Sequence, residues 1–323
     1  MLQYIDQQSL QLIKLRLKRD TRMSHNEDFN IKSYKHHRKH FQSYRCGGEK
    51  EEIAKTWLQE NNVGAWRFRR MFRLIDPLLE KYPQATWLTC GDGRYGKDAH
   101  YIKEKGLKVL ASDISDVLLK EGKKMGYIDN YRKENAEALS FKDASFDFVF
   151  CKESFHHFPR PMIALYEMLR VSKRGVVLIE PYDKYITQTF FEAIIGGLTD
   201  LINFILRKKK SRHRFEEAGN YVYGVSIREM EKAALGMNLR TLAFKGINDY
   251  YEKGIEFEES SPNNKLFNKV KRRIRFRDAL TQLKVMPYSL LAIIIFKDAG
   301  SELKETLKKQ GYTVIELPKN PYL

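Results

Sequence analysis

Cysteine is scarce in this chain. Its 323 residues hold three, Cys46, Cys90 and Cys151, far apart and with no Cys-x-x-Cys. An odd number of widely spaced cysteines argues against a disulfide frame and a structural zinc site, and no metal is expected. A reducing compartment follows. Long apolar runs are lacking too: none reaches the ~20 uncharged residues of a membrane-crossing helix. The opening Met1-Leu2-Gln3-Tyr4-Ile5-Asp6 does not read as a signal peptide, so a cytoplasmic location is expected. No internal repeat is evident. Acid is in deficit, with 41 Asp and Glu against 58 Lys and Arg, a net charge of +17. That surplus favours anionic partners, namely nucleic acid, anionic lipid or a phosphorylated substrate. The alternative is a set of solvated lysine-rich faces. Hydrophobic content of 42% is a globular value. The length allows one large domain or a domain with insertions.

What is present is concentrated in Thr86–Asp113. The apolar Trp87-Leu88 passes through Thr89-Cys90 into Gly91-Asp92-Gly93-Arg94-Tyr95-Gly96, and a second apolar run, Val109-Leu110-Ala111, ends at Ser112-Asp113. A strand entering a glycine-rich turn, a helix, and a second strand ending in an acid make the front half of a nucleotide-type cofactor site. Glycine lets backbone approach the ligand, the helix N-terminus offers free N–H groups, and the acid can hold two ribose hydroxyls. Alone, Gly91-x-Gly93-x-x-Gly96 fits a dinucleotide as well as S-adenosylmethionine.

The segments downstream separate the two. Glu134-Asn135-Ala136-Glu137 precedes Asp143-Ala144-Ser145-Phe146-Asp147-Phe148. Then come Lys152-Glu153-Ser154-Phe155-His156-His157-Phe158-Pro159, Tyr166-Glu167-Met168-Leu169-Arg170-Val171 and Val177-Leu178-Ile179-Glu180-Pro181. In this order the motifs resemble class I S-adenosylmethionine-dependent methyltransferases, the type 11 group in particular, over roughly 84–182. The resemblance implies a Rossmann-like, doubly wound, mostly parallel seven-stranded sheet whose last strand is antiparallel. It implies that Gly91, Gly93 and Gly96 admit the methionine part of S-adenosylmethionine, that Asp113 holds the ribose and that Ile114 packs on the adenine. Asn135 and Ala136 would lie at the adenine edge, and Lys152 and Glu153 at the methyl-transfer centre. Thr89 stands where the family's first strand usually ends in an acid, and Asp92 is the candidate to supply that charge. Asn135 stands where Asp is more common; its amide oxygen still accepts a hydrogen bond.

Strands are expected near 86–90, 108–112, 131–134, 146–151, 175–180, 239–246 and 289–296, with helices between them. Helices are expected over 50–62 and 65–81, and Ser226-x-x-Glu229 caps a helix over 227–235. The chain divides into an N-terminal helical region, 1–82, a catalytic domain, 83–298, and a tail, 299–323, with a helix and a short strand. Within 1–48, Leu10, Leu12, Ile13, Leu15 and Leu17 suggest one helix. Two insertions, 182–225 and 248–288, leave the fifth and sixth strands and should lie on the ligand side of the sheet.

Both insertions are basic: Arg207–Arg214 has six Lys or Arg in eight residues, Lys269–Arg277 six in nine. Ahead of the first run, Phe190, Phe191, Ile194, Ile195, Leu198, Leu201, Ile202 and Ile205 share a helical face. Either 186–214 lies on the inner face of an anionic membrane, or its stripe packs on the core as a lid with charge outward. Methyl transfer to a hydroxyl needs a base; His156 and His157 are the candidates, with Glu153 next, and Glu180 is a possible substrate contact. Cys151 is not expected to be a nucleophile. The leading expectation is transfer, O-directed, to a small-molecule, glycan or lipid-linked acceptor that is anionic. The alternatives are an RNA methyltransferase and a non-catalytic S-adenosylmethionine-binding protein. Against RNA, no Asn/Asp-Pro-Pro-Tyr/Phe motif ends the fourth strand and no RNA-recognition module is visible.

Overall fold

The computed structural model describes residues 29–183, 194, 196–198, 201–202, 205–206, 215 and 221–322. Most of the 186–214 stripe, the 207–214 basic run and the helix expected around Leu10–Leu17 lie outside the described residues. The strands are β1 (Thr86–Cys90), β2 (Lys108–Asp113), β3 (Tyr131–Lys133), β4 (Phe146–Lys152), β5 (Ser172–Pro181), β6 (Thr241–Ile247), β7 (Leu290–Phe296) and β8 (Thr313–Glu316). They form one sheet in the order β3-β2-β1-β4-β5-β7-β6-β8. β1 to β5 pair in parallel, and β7 runs antiparallel to both β5 and β6.

The helices are α1 over 29–42, α2 (Glu51–Thr56), α3 (Val63–Phe72), α4 (Asp76–Lys81), α5 (Lys97–Glu104), α6 (Val117–Lys124), α7 (Pro161–Val171), α8 (Ile227–Gly236), α9 (Lys265–Gln282) and α10 (Ser301–Lys309). β7 reads Leu-Leu-Ala-Ile-Ile-Ile-Phe because both its faces are covered, and all seven residues are buried. On one face Leu165, Met168, Met230 and Ala233 of α7 and α8 pack against Ile293 and Ile295. On the other, Met71, Leu78, Ile102 and Leu303 pack against Trp87, Phe148 and Ile294.

Four details differ from the sequence expectation. The helix expected over 50–62 ends at Thr56, and the chain turns through 57–61 before Asn62 caps α3. The helix expected over 65–81 is two helices, α3 and α4. Pro77 sits in the first turn of α4 and has no N–H to give the carbonyl four residues back, so the chain stops and restarts. The sheet has eight strands rather than seven: β8 pairs with the free side of β6, and the tail's Leu303, Leu307 and Tyr312 join the core. Lys269–Arg277 belongs to an eighteen-residue helix, α9, started by Asn264, whose side chain accepts from the Phe267 amide.

Both insertions leave the sheet where expected. Pro181, Ile247 and Leu290 are in register at the carboxyl edge of the parallel strands. Among the described residues no helix is long and apolar enough to cross a membrane.

Candidate cofactor and acceptor cleft

At that edge the ends of β1, β2 and β4 open into a cleft of about 510 Å³, covered by α1. Its floor is the glycine turn. Gly91 takes φ +76°, and a Cβ there would come within 2.8 Å of Ser154 Oγ. At Gly93 a Cβ would meet the Phe41 ring at 2.6 Å and Asp113 Oδ2 at 2.9 Å. A side chain at either position would clash with these neighbours, so only glycine lets the turn pack this closely under Ser154 and Phe41. Gly96, at φ +77°, starts α5 and packs on Ile128, away from the cleft wall.

Thr89 and Asp92 form one unit. Thr89 is fully buried and donates its hydroxyl to Asp92 Oδ2 at 2.8 Å. Asp92 lines the cleft and accepts from the Asp98 and Ala99 amides at 3.0 and 2.9 Å, which caps α5. Burial, reinforced by the charge of Asp98, pushes the Asp92 carboxyl well above the ordinary range. An acid therefore does stand at the end of β1, delivered from the turn and held by the threonine.

Asp113 closes β2 and also lines the cleft. It accepts from the Ser115 amide at 2.7 Å, and the Gly93 amide also bonds to it. Burial raises its carboxyl to about 7. A carboxylate has roughly four acceptor positions, so two backbone donors leave two, the number a ribose diol requires. Ile114, Asn135 and Ala136 line the same wall. Asn135 Oδ1 already accepts from the Glu137 amide at 3.0 Å, a turn that holds the side chain in place.

The end of β4 supplies the opposite wall. Lys152 is buried, 3.3 Å from Asp98 and with its ammonium 4.3 Å from the Phe68 ring centre. Glu153 lines the cleft with φ +49°, a left-handed conformation that costs a non-glycine residue free energy. Beyond it the two histidines separate. His157 lines the cleft, while His156 is buried beneath it with Nδ1 2.6 Å from Glu180 Oε2. Glu180 is fully buried, and its Oε1 accepts from the Ser154 and Phe155 amides, both at 2.9 Å. It is a buried anchor for the turn after β4 rather than a surface that meets substrate. Cys151 is buried and its thiol is raised far above the usual range by desolvation, so it stays protonated and inert.

Sequence reading missed the roof. Ser33, Tyr34, His37, Phe41 and Tyr44 of α1 and its continuation line the cleft, with Trp57 and Phe68 beside them. Spacings of one, three, four and three residues mark one helical face, a signal masked by the surrounding Lys35–His40 charge. Tyr34 donates to Glu137 Oε2 at 2.8 Å, and Arg160 Nε donates to the same oxygen at 2.6 Å, which ties α1 to the domain. Arg94, Lys97 and Asp98 were likewise not singled out. The Arg94 guanidinium lies 5.0 Å from the Trp57 ring and 5.5 Å from the Phe68 ring, in the cleft wall.

The tight glycine turn at Gly91, the diol-sized acceptor at Asp113 and the apolar wall at Ile114 and Ala136 fit a nucleoside cofactor. Comparison with known proteins agrees. Residues 88–179 match the family described as methyltransferase domain. The chain is 34% identical over 130 residues to a demethylmenaquinone methyltransferase of Renibacterium salmoninarum, covering 40% of this chain and 54% of that one. It is 33% identical over 100 residues to a 2-methyl-6-phytyl-1,4-hydroquinone methyltransferase of Synechocystis, covering 30% and 31%. The chain thus spans about half the length of the first relative and a third of the second. A solved SAM-dependent methyltransferase from Archaeoglobus fulgidus aligns with a TM-score of 0.42 at 16% identity, over 70% of this chain and 94% of that one.

Proposed function

The chain carries a class I S-adenosylmethionine-dependent methyltransferase domain, and from that premise we propose that the protein transfers a methyl group to a small-molecule acceptor with an acidic hydroxyl on an aromatic ring. One observation carries the reading. The cofactor-side residues Gly91, Asp113 and Asn135 share a single cleft with the proton acceptors His157 and Glu153.

Bound in the cleft, S-adenosylmethionine supplies an electrophilic methyl group. Asp113 would hold the ribose, Gly91 and Gly93 would admit the methionine portion, and Ile114 and Ala136 would flank the adenine. The rest of the work is positioning and one proton transfer. Trp57 and Phe68 provide flat apolar surfaces for an aromatic acceptor, and Arg94 and Lys152 favour its anionic form. His157 is the base we assign, because it reaches the cleft while His156 is held beneath it by Glu180. Once His157 takes the hydroxyl proton, the acceptor is an oxyanion able to attack through oxygen or a ring carbon. Both relatives are named for a quinone or hydroquinone acceptor, which supports an aromatic acceptor over a glycan.

The test is calorimetric titration with S-adenosylmethionine and S-adenosylhomocysteine, on the native chain and on Asp113→Ala, followed by methyl transfer to hydroquinones with and without a lipid tail. Micromolar binding abolished by Asp113→Ala, with turnover lost in His157→Ala, is expected. Absence of binding would overturn the cofactor assignment. Binding without turnover on any hydroquinone would overturn the acceptor class.

A further inference from the structure

α9 faces two ways. Phe267, Val270 and Ile274 bury one side against Val63 and Trp66 of α3. At 3.6 residues per turn the opposite side runs through Arg272, Phe276 and Leu283, with Arg273 and Arg275 on its flanks, and all five are exposed. Phe276 is 59% and Leu283 67% accessible, high values for large apolar side chains. Among the described residues the side chains of Arg272, Arg273 and Arg275 have no hydrogen-bond or ion-pair partner. Five of the six acids of this insertion are engaged elsewhere, Asp249 by Arg67, Glu252 by Lys269, Glu256 by Tyr251, Glu258 by Asn264 and Asp278 by Asn248, and the sixth, Glu259, is exposed ahead of α9.

Three like charges crowded within four residues repel one another, and two large apolar side chains beside them gain nothing from water. A partner with phosphate groups over an apolar interior satisfies both. The insertion leaves β6 at Ile247 and rejoins β7 at Leu290, the edge where the cleft opens, and α3 beneath α9 gives Phe68 to that cleft. The other insertion begins at the same edge. Its Leu198, Leu201, Ile202, Ile205 and Leu206 are all more than half exposed, and Arg207–Arg214 follows them in the sequence.

We propose that this face of α9 seats the protein on an anionic lipid surface. Arg272, Arg273 and Arg275 meet the headgroup phosphates, while Phe276 and Leu283 enter the boundary between headgroups and acyl chains. The mostly aliphatic character favours acyl chains over nucleic acid: Leu283, Leu201 and Ile202 offer no ring on which a base stacks, and Phe276 is the one ring among these side chains. Seated this way, the cleft mouth lies close to the lipid surface, so an acceptor with a lipid tail would not have to leave it.

The test is co-sedimentation of the full chain with phosphatidylcholine vesicles and with vesicles that also contain phosphatidylglycerol. Binding to the anionic vesicles alone, weakening as salt rises, is expected. At about fivefold per arginine, the triple variant Arg272→Glu/Arg273→Glu/Arg275→Glu should bind at least about a hundredfold more weakly. Phe276→Ala/Leu283→Ala should lower the residual binding at high salt. Circular dichroism and a urea midpoint confirm the fold of each variant. If charge reversal impairs folding, the Arg→Gln triple makes the same comparison. Equal sedimentation of native and triple variant would overturn the proposal. So would failure to bind anionic vesicles combined with RNA binding that the triple variant abolishes.

Discussion

At the scale of single residues, the cleft is governed by buried carboxyls. Asp113 has its carboxyl raised by burial to about 7. A raised carboxyl means the folded, ligand-free protein prefers this group protonated. Its contribution to stability is therefore complete below the unfolded value near 4 and is lost as pH rises through about 7. A ribose diol donates to the ionised form, so ligand binding has the opposite dependence. S-adenosylhomocysteine affinity should rise from pH 6 to pH 8, by several-fold, and Asp113→Asn should flatten the profile in calorimetric titrations. Glu180 makes a different prediction, since it holds two amides and the His156 ring while itself fully buried. Glu180→Ala leaves those donors unsatisfied and should cost about 3 kcal/mol in urea unfolding. Turnover should fall while cofactor affinity changes little, because the turn carrying His157 is what loosens. At this scale the sequence was legible for position: Gly91, Asp113 and Ile114 lie along the cleft, while Gly96 packs on Ile128 away from it. It was not legible for the two histidines, which are chemically identical neighbours. Only the position of the Glu180 carboxylate tells one from the other.

At the scale of elements, α1 is the part that sequence pattern described least well. Within 1–48 the apolar spacing pointed to a helix around Leu10–Leu17 and not to 29–42, yet Tyr34, His37 and Phe41 of α1 roof the cleft. The tie through Glu137 is a pair of hydrogen bonds to one buried carboxylate oxygen, from Tyr34 of the roof and Arg160 of the domain. Tyr34→Phe removes one of them and should lower stability by about 1 kcal/mol. Amide exchange of residues 33–44 should speed up, whereas the exchange of β7 should be unchanged. β7 itself obeys its pattern. Ile294 is fully buried between β5 and β6 partners, so Ile294→Ala should cost about 2–5 kcal/mol by urea unfolding. The strands were readable because an apolar run flanked by glycine or charge has one stable placement in an α/β sheet. The break between α3 and α4 was signalled by Pro77, and the apolar periodicity on both sides of it concealed the stop.

At the scale of the whole molecule, the tail shows what local pattern leaves out. Residues 301–316 supply α10 and β8, and β8 covers the edge of β6 that a seven-stranded sheet would leave open. A chain ending at residue 298 should expose that edge along with the surface that Leu303 and Leu307 cover. It should aggregate or unfold several degrees earlier in a thermal melt. The net charge of +17 is also a property of the whole molecule. Part of it is placed on α9, outside the acids' reach, at the same edge as the cleft.

The sequence by itself determined a nucleotide-type turn and the parallel core, because glycine turns, strand-end acids and buried apolar runs are constrained by backbone geometry within a few residues of themselves, whereas the choice among nucleotide cofactors rested on the resemblance of the downstream motifs. The tertiary structure alone decided which histidine meets the cleft, which helix roofs it, how Asp92 stands in for an acid at Thr89, and that the tail completes the sheet. The histidine, the roof and the tail depend on groups distant in the chain, such as Glu180 with His156 or Tyr34 with Glu137, and local pattern carries no information about which distant group arrives; the Thr89–Asp92 bond is local, and only the folded turn brings the two side chains together.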